Sequence, residues 1–438
     1  MQESISCWIL SVLWLLRCGV LPASAARLEL PPTLPNGHEV ASVVSPGLLE
    51  PGAKFRAGVV VADEPPQHSP QRSKSLLAAP YPPSRAIADI SFEMDTLKEF
   101  APGSDNWAIT WADDDHQYTT WGDGGGFGGT NSDGRVSMGI ARVEGSKDKY
   151  TGYNVWGGKA PEAEATFTGK SYGILSIAGV LYLWRGGEGS DAGAFKAQKL
   201  YRSTDYGRHW TDTGVQFDPD MDPNSDGVFC PTFLQFGRDY AGARDQHVYS
   251  YGPEIQDRSD WNVQKPGKIS LMRVPADDLE DQSKYEFFAG FDDTGTPRWT
   301  VDYTKRTPVF TDAVNGVMRT SVSYNAGLKR YFLMTQQVNR FREQDGHIGI
   351  YDAPEPWGPW TTMLFANAWS TGLQNGAKTV YWNFANKWLS PDGRRFVLVY
   401  TGDGPDNWGT VEGTLRPREP KDAKTVVSER SSAEDDGA

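Results

Sequence analysis

The sequence contains few of the residues that build disulfide frameworks. Only three of its 438 residues are cysteine. Cys7 and Cys18 fall within the first 26 residues, so the rest of the chain holds the thiol of Cys230 alone, and one thiol cannot form an internal disulfide. Cys230 stands in the apolar segment GVFCPTF, where burial suppresses the thiolate. We therefore expect an inert buried cysteine rather than a nucleophile.

Signals for metal and nucleotide binding are also scarce. The four histidines of the body, His116, His209, His247 and His347, are isolated, and no cluster has the spacing of zinc ligands. The glycine run Gly124–Gly129 lacks the Lys-Ser/Thr ending of a phosphate-binding loop. We therefore predict no metal and no cofactor.

Positive charge is in deficit. The chain has 43 Lys and Arg against 56 Asp and Glu, a formal net charge of −13. An acidic protein repels phosphate backbones, which argues against a nucleic-acid partner. After the first 26 residues no apolar run is long enough to span a membrane.

The two ends of the chain differ in composition from its body. Residues 1–26 are predicted to be a signal peptide, because the apolar run Cys7–Leu16 precedes the small-residue site Ala23-Ser24-Ala25. An uncleaved anchor is the alternative, but a run of about 10 apolar residues is too short to span a bilayer. We therefore expect a secreted, extracellular or periplasmic protein.

Two further segments lack the signals of a packed core. Residues 27–86 are rich in proline and are predicted to be a largely disordered linker. Residues 416–438 are charged, lack aromatic residues and are predicted to be a disordered tail. The folded body is then expected to span residues 87–415.

Aromatic residues and glycine are abundant in that body, and helical periodicity is scarce. The chain has 16 Trp, 18 Tyr, 19 Phe and 47 Gly, which is typical of all-β folds with many short strands. Five strand-like segments recur at intervals of roughly 65 residues, with one longer interval, which is a repeat signature. They are Gln117–Trp121, Val180–Trp184, His247–Tyr251, Arg330–Thr335 and Arg395–Tyr400.

A second strand-like element follows several of these segments. It occurs at Ser137–Val143, Lys199–Trp210, Lys268–Pro275 and His347–Trp360. Such a repeated pair of strands favours an all-β, five-bladed β-propeller. Ser203–Trp210 also has the S-x-D-x-G-x-x-W pattern of the Asp box of sialidase-type propellers, which stabilises a tight hairpin.

The segment from Ser104 to Thr130 carries the strongest chemical signal. We predict a hairpin with strands Asn106–Ala112 and His116–Asp123, joined by the turn Asp113–Asp115. The register of this hairpin places Asp105 opposite Asp123. Two opposed carboxylates destabilise a sheet, and their crowding raises one pKa while the other group stays ionised. A glycosidase needs one acid and one base or nucleophile, so these residues are the candidate catalytic pair.

Alternatives remain open for this segment. Asp is common at strand ends, and a register slip of one residue would send the two side chains apart. We interpret Asp113–Asp115 as solvated turn residues, with a calcium site as the lesser alternative. Gly124–Gly129 is either one wall of a sugar cleft or a plain long turn.

Three stretches of the sequence resemble a known family. They are SDNWAITWADD with YTTWGDG, GKISLMRVPADDLEDQSKYEFFAGFDDTGTPRW, and YNAGLKRYFLMT with APEPWGPWTT. They are similar, in the same order, to domain-of-unknown-function family DUF4185, part of which is glycoside hydrolase family 183, whose members cleave D-arabinan inside the chain. The resemblance covers roughly residues 88–413. It implies a five-bladed propeller and a catalytic Asp pair, which by position would be Asp105 and Asp123.

We therefore expect an extracellular, monomeric glycoside hydrolase that acts on a polysaccharide or oligosaccharide. The candidate sugar-stacking residues are Trp107, Trp121, Phe127 and Tyr324, and Arg319 and Asn325 are candidates to hydrogen-bond sugar hydroxyls. A non-catalytic carbohydrate-binding propeller and a polysaccharide lyase on the same architecture remain as alternatives. A strongly basic cleft would favour the lyase.

Overall fold

The computed structural model describes residues 78–187, 197–257, 263–337, 347–366, 379–402 and 406–419. The predicted signal peptide at 1–26 and most of the predicted linker lie outside these residues. The predicted tail lies outside them from residue 420 onward.

The described residues form an all-β structure, as predicted. The first four-stranded sheet comprises β2 (Ile109–Trp111), β3 (Gln117–Gly124), β4 (Val136–Gly145) and β5 (Tyr150–Trp156). The second comprises β6 (Lys170–Ile177), β7 (Val180–Gly186), β8 (Gln198–Ser203) and β9 (Thr211–Phe217). Strands in both sheets pair antiparallel with their sequence neighbours.

The third sheet has ten strands in two antiparallel halves. One half holds β10 (Thr232–Gln235), β11 (His247–Pro253), β12 (Gly267–Pro275), β13 (Glu286–Phe291), β14 (Pro297–Thr300) and β15 (Pro308–Asp312). The other holds β16 (Thr320–Asn325), β17 (Arg330–Gln337), β18 (His347–Ala353) and β19 (Thr361–Ala366). A short parallel pairing of β10 with β16 joins the two halves.

The fourth sheet joins the two ends of the body. It comprises β1 (Ile87–Phe100), β20 (Val380–Phe384), β21 (Arg395–Thr401) and β22 (Trp408–Pro417), in the order β1-β22-β21-β20. The earliest strand therefore pairs with the last, from Ile87 with Pro417 to Phe100 with Trp408.

The helices of the described residues are short 3-10 turns. They span Pro219–Met221, Ala276–Asp278, Gln282–Lys284, Tyr303–Lys305 and Asn386–Trp388. Within the described part of the chain, no helix has the length and apolar character needed to cross a bilayer.

The predicted repeat corresponds to equivalent strands. The five recurring segments lie in β3, β7, β11, β17 and β21, each of which is the second strand of an antiparallel run. The second recurring element lies in β4, β8, β12 and β18, the third strands. The Asp box between β8 and β9 forms a turn, in which the Trp210 indole donates to the Gly207 carbonyl at 2.9 Å.

The first strands of these runs, β2, β6, β10, β16 and β20, contact one another in succession. β10 and β16 pair directly. Hydrogen bonds join β2 to β6 (Ser176 N to Thr110 Oγ1, 3.0 Å), β6 to β10 (Gln235 Nε2 to Ile174 O, 2.9 Å) and β16 to β20 (Ser321 Oγ to Trp382 O). In the last contact, Asn383 Nδ2 donates to Trp107 O at 3.0 Å. The last contact links β20 to the segment that leads into β2. The series of first strands therefore returns to its start.

Large aromatic side chains fill the space between the sheets. Burying aromatic rings of this size contributes strongly to core stability. The fully buried tryptophans are Trp107, Trp121, Trp156, Trp184, Trp382 and Trp408.

The folded body starts earlier than predicted. The final residues of the predicted linker, 78–86, pack on the sheets: Tyr81 lies 5.0 Å from Phe310, between ring centroids, and Thr362 N donates to Pro82 O at 2.8 Å. The proline-rich composition of residues 27–86 concealed this segment, because Tyr81 finds its apolar partners far along the chain.

Candidate active site

The site begins at the open end of the hairpin of β2 and β3. The two strands pair in the predicted register, with Ile109 opposite Thr119. Beyond Ile109 the register shifts by one residue, because Asp105 exchanges two backbone hydrogen bonds with Gly122, at 2.9 and 2.7 Å. The prediction that Asp105 lies directly opposite Asp123 is therefore wrong by one residue.

The shift accompanies an unusual backbone conformation at Asn106. Its φ is +61°, a value that residues with a side chain seldom adopt. Its amide donates to Thr401 Oγ1 at 2.8 Å, which ties the segment to β21. Irregularities of this kind re-aim side chains at functional sites. Here the Asp105 carboxyl comes to lie over Gly122, where an added Cβ would stand 2.7 Å from Oδ1.

Asp105 is an almost fully buried acid. Its exposed fraction is 7%, and its buried Oδ1 accepts no hydrogen bond from the described residues. Burial raises the pKa of Asp105 to about 7, and the negative charges of Asp406 and Asp123 act in the same direction. Lys170 and Arg319 oppose this rise. Asp105 therefore keeps its proton close to neutral pH.

Asp123 is the more accessible carboxylate. Its side chain is 30% exposed, and its Oδ2 lies 2.5 Å from the Lys170 ammonium. Arg135 lies 3.4 Å from Oδ1 on the solvent side. The φ of Asp123 is +56°, a second left-handed residue at this end of the hairpin. The Asp123 carboxylate thus lies between the buried ammonium of Lys170 and the exposed guanidinium of Arg135.

The structure adds a third carboxyl group, Asp406, which the sequence analysis missed. It is partly buried just before β22. Burial raises the pKa of Asp406, against the influence of Arg319 and with that of Asp123. The Asp406 carbonyl also accepts a 2.6 Å hydrogen bond from Gly103 N, close to Asp105 in the chain. Its charge acts on Asp105 more strongly than that of Asp123.

A repeated tripeptide is the signal that points to Asp406. Asp105 and Asp406 each begin the sequence Asp-Asn-Trp. The two copies meet in the structure, because Trp107 and Trp408 pack edge to face with centroids 5.3 Å apart. The Trp107 indole also donates to Asn407 O at 2.9 Å. The second copy marks the strand that brings the third carboxyl to the site.

Arg319 is brought to the carboxyl groups, and its exposed fraction is 4%. Its Nε donates to Asn106 Oδ1 at 2.5 Å, and its Nη1 donates to Gln336 Oε1 at 2.6 Å. Its charge opposes the rise in pKa of Asp105 and of Asp406. Arg319 is therefore a buried positive charge that acts on the candidate carboxyl groups.

Two more residues around the site have left-handed backbones. The φ of Cys230 is +42° and that of Tyr381 is +49°. Strained residues of this kind persist where the surrounding structure holds them, and they cluster at functional sites. Cys230 is buried, as predicted, and burial raises the pKa of its thiol, so it is not a ready nucleophile.

Two of the predicted sugar-stacking residues serve the core instead, and a third, Phe127, is partly buried against it. Trp107 and Trp121 are 0% and 1% exposed, so neither ring has a face for a sugar, and their assignment as stacking residues is wrong. Phe127 packs on Trp107 and Trp408, each at 5.5 Å between centroids. It anchors the glycine-rich loop to the body, and its amide donates to Asn154 Oδ1 at 2.9 Å.

Two other candidates lie away from the site. Tyr324 stands at the far end of β16, about 16 Å from Arg319 at the usual rise of a strand, and packs on Phe236 and Tyr331. Asn325 is 1% exposed and donates to Gly393 O at 2.8 Å, so it stabilises a turn. The sequence analysis placed Arg319, Tyr324 and Asn325 in one site because they are close together in the run MRTSVSYN. An extended strand separates its two ends, so only Arg319 lies at the site.

The site therefore combines acids and cations that come from several strands. Asp105 precedes β2, Lys170 begins β6, Arg319 precedes β16 and Asp406 precedes β22. Among the described residues, no group of three or more His, Cys, Asp or Glu side chains is arranged to hold a metal ion. A buried protonated carboxyl beside an ion-paired carboxylate can donate one proton and accept another.

The chain is similar to several solved structures at low sequence identity. They include a protein provisionally described as a hydrolase, from Bacteroides ovatus ATCC 8483, with 13% identity, a TM-score of 0.44 and coverage of 72% of this chain and 87% of that one. An endo-arabinase from Bacteroides thetaiotaomicron VPI-5482 has 12% identity, a TM-score of 0.42 and coverage of 74% and 99%. An α-L-arabinofuranosidase from Podospora anserina has 10% identity, a TM-score of 0.39 and coverage of 72% and 92%.

At the level of sequence, no curated protein matches the chain. A family does match part of it. Residues 184–370, from the end of β7 past β19, match the domain of unknown function DUF4185. The matched segment includes Arg319 and lies between the parts of the chain that supply Asp105, Asp123 and Asp406.

Proposed function

We propose that this protein is a glycoside hydrolase in which Asp105 is the general acid and Asp123 is the base or nucleophile. The observation that carries the proposal is the contrast between the two groups. Asp105 is buried with its pKa raised to about 7, whereas Asp123 is 30% exposed and paired with Lys170. Glycoside hydrolysis needs a protonated carboxyl and an ionised one on the two sides of the scissile bond.

The architecture that we propose for it is a five-bladed β-propeller. The ring of contacts among β2, β6, β10, β16 and β20 supports this arrangement, as does the position of each recurring segment in a second strand. In such a fold the starts of the first strands meet around one end of a central channel. The carboxyl groups would then stand at the mouth of that channel, where a polymer has access.

The substrate that we propose is a polysaccharide with furanoside units, of the D-arabinan type. The resemblance of the three sequence stretches supports this choice, together with the match of residues 184–370 to DUF4185. We also propose that the protein is secreted, which the apolar run Cys7–Leu16 and the small-residue site Ala23-Ser24-Ala25 support, and that it acts without a cofactor.

The test is reducing-sugar release from a panel of furanose and pyranose polysaccharides that includes D-arabinan. Asp105→Asn and Asp123→Asn should each lower kcat by about 10²- to 10⁴-fold, the usual contribution of general acid–base groups. Asp115→Asn is the matched control, because Asp115 lies in the turn at the other end of the same hairpin. Thermal unfolding would verify that all three variants fold, and NMR of the first product anomer would assign retention or inversion.

Two results would overturn this proposal. Wild-type protein that binds one of the polymers but cleaves none would favour the non-catalytic binding propeller. Full activity in both folded Asn variants would remove the carboxyl pair from the reaction.

A polysaccharide lyase is the second candidate, because Lys170 and Arg319 place positive charge at the site. A lyase uses such charge to neutralise the carboxylate of an acidic sugar. The pairing of Lys170 with Asp123 at 2.5 Å counts against this use. The same assay separates the two reactions, since a lyase leaves an unsaturated sugar that absorbs in the ultraviolet and a hydrolase does not.

A further inference from the structure

Lys170 is a buried lysine at the site, and the sequence analysis did not select it. It is the first residue of β6, and its side chain is 6% exposed. Lysine is almost never buried to this degree without a partner, because removing an ammonium from water is costly. The ammonium lies 2.5 Å from Asp123 Oδ2, so the Asp123 carboxylate is a direct partner of the buried charge.

The backbone of β6 is irregular where it presents this side chain. Lys170 pairs with Gly186, but the next regular pair is Gly173 with Trp184, so the register shifts across Ser171 and Tyr172. A bulge bends a strand and re-aims its side chains. The start of β6 is therefore shaped to direct Lys170 toward the hairpin of β2 and β3.

The charged and titratable groups around Lys170 come from several strands. They are the carboxyl groups of Asp105, Asp123 and Asp406, the guanidinium groups of Arg135 and Arg319, the Cys230 thiol and the Tyr172 phenol. Arg135 is 44% exposed, so solvent and salt screen its charge. Arg319 donates hydrogen bonds to Asn106 and Gln336. Lys170 acts on the Asp123 carboxylate in direct contact, and the burial of its side chain limits screening by solvent.

We propose that Lys170 is a positioning residue that holds the Asp123 carboxylate in the site and supplies the buried positive charge that lets one carboxyl serve as acid and the other as base. This inference rests on the proposed function for its chemistry. The electrostatic part stands without it, because the ion pair exists in the protein before any substrate binds.

The proposal has a direct electrostatic consequence. Lys170 opposes the rise in the pKa of Asp105 and of Asp406. Removal of its charge should therefore raise the pKa of Asp105 further above its present value of about 7. An opposite charge within about 4–6 Å shifts a carboxyl pKa by about one unit or more. A side chain that only filled space would leave the pKa of Asp105 where it is.

The experiment compares Lys170→Met, which keeps the length of the side chain without its charge, with Lys170→Arg, which keeps the charge. Lys305→Met is the matched control, because Lys305 lies 2.9 Å from Asp302 but its side chain is 72% exposed. The first readout is the carboxyl ¹³C titration of Asp105 in the free protein, assigned with Asp105→Asn. We expect the midpoint to rise by about one pH unit in Lys170→Met and to stay close to the wild-type value in the other two variants.

The second readout is the pH dependence of kcat/KM on the substrate that the polysaccharide panel identifies. Lys170→Met should lower kcat about 10- to 100-fold, because a misplaced catalytic group costs rate of this order. The alkaline limb of the kcat/KM profile of this variant should move to higher pH, together with the titration midpoint of Asp105. Lys170→Arg should recover most of the rate.

The outcomes separate this inference from the proposed function. An unshifted Asp105 midpoint in folded Lys170→Met would overturn the role of Lys170, whatever the activity. A shifted Asp105 midpoint in a protein that cleaves no glycan would overturn the proposed hydrolase activity but support the electrostatic role of Lys170. If Lys170→Met does not fold, Lys170→Gln replaces it, and an Asp105 midpoint in that variant equal to the wild-type value overturns the proposal in the same way.

Discussion

The hairpin of β2 and β3 carries aspartates at both ends, and the two ends place the same side chain in opposite environments. At the open end, Asp105 is 7% exposed and burial raises its pKa to about 7. At the turn, the Asp115 side chain is 53% exposed. The slight burial of Asp115 acts to raise its pKa, but hydrogen bonds from Lys387 and Trp111 outweigh this and lower it. The surroundings, not the residue type, decide which aspartate can act as an acid.

The different environments of the two ends of the hairpin have different structural causes. Asp113 to Asp115 form the turn that the sequence predicts, and solvent reaches Asp113 and Asp115. Asp105 lies against Gly122, between strands that also bring Lys170 and Asp406. Burial among charges makes an acid of unusual pKa, whereas exposure with a cation nearby gives an ordinary ion pair.

The largest expected effect comes from filling the space beside Asp105. Gly122→Ala would place a methyl group 2.7 Å from Asp105 Oδ1, so the carboxyl would have to move. Displacement of a catalytic group by about 1 Å lowers rate about 100-fold, and overpacking costs about 1–3 kcal/mol of stability. Steady-state kinetics and urea unfolding measure the two effects.

Gly128→Ala is the control for this substitution. Gly128 lies in the glycine-rich loop with φ +76°, and an added Cβ would meet nothing within 4 Å. It should cost about 1 kcal/mol of backbone strain and leave the rate close to wild type. Equal rates in the two variants would show that the contact between Gly122 and Asp105 does not matter for activity.

The second prediction concerns stability and pH. The folded pKa of Asp105, about 7, lies above the value of about 3.9 for an unfolded aspartate. The folded protein therefore keeps a proton that the unfolded chain releases. This stabilisation is fully present below about pH 4 and is lost as pH rises to about 7, at up to about 1.4 kcal/mol per pH unit.

Asp105→Asn has no proton to lose at this position. The free energy of unfolding of this variant, relative to that of the wild type, should therefore increase as pH rises from 4 to 8. Urea unfolding of both proteins at four pH values measures the difference. Parallel curves across this range would mean that Asp105 is ionised in the folded protein near pH 4, which contradicts the assignment of Asp105 as the acid.

Local pattern was enough to predict the recurring strands and the hairpin. The alternation of β-branched and aromatic residues predicted β3, β7, β11, β17 and β21, and their spacing showed that they are equivalent. Pairing of β1 with β22 depends on residues at the two ends of the body. No local pattern contains that information, because strand pairing over long distances is decided by packing.

The site was predictable only in part for the same reason. The spacing of Asp105 and Asp123 located one end of a hairpin, but the left-handed Asn106 shifted the register by one residue. Lys170 and Asp406 reach the site on other strands. Aromatic content pointed to Trp107 and Trp121 as sugar-stacking residues, yet composition cannot distinguish a buried ring from an exposed one.

The third prediction concerns Asp406, the negative charge with the strongest effect on the pKa of Asp105 at the open end of the hairpin. Asp406 raises the pKa of Asp105 more than Asp123 does. Asp406→Asn should therefore lower the pKa of Asp105 and move the alkaline limb of kcat/KM to lower pH by up to about one unit. Asp392→Asn, which changes an exposed aspartate in the turn between β20 and β21, should leave the limb in place. A limb that stays fixed in Asp406→Asn would remove Asp406 from the electrostatics of the site.

The smallest effect is expected at the turn. Asp115→Asn removes the ion pair between Lys387 Nζ and Asp115 Oδ2, 3.1 Å apart, whose acidic partner is 53% exposed. The Lys387 side chain is 14% exposed, but a pair whose carboxylate is open to solvent contributes about 1 kcal/mol or less, and less still at high salt. Urea unfolding at low and at high salt measures the loss, which should shrink as salt rises. A loss of several kcal/mol, or one that salt does not reduce, would mean that the turn holds its aspartates as tightly as the open end does. The contrast between the two ends would then no longer support Asp105 as the proposed acid.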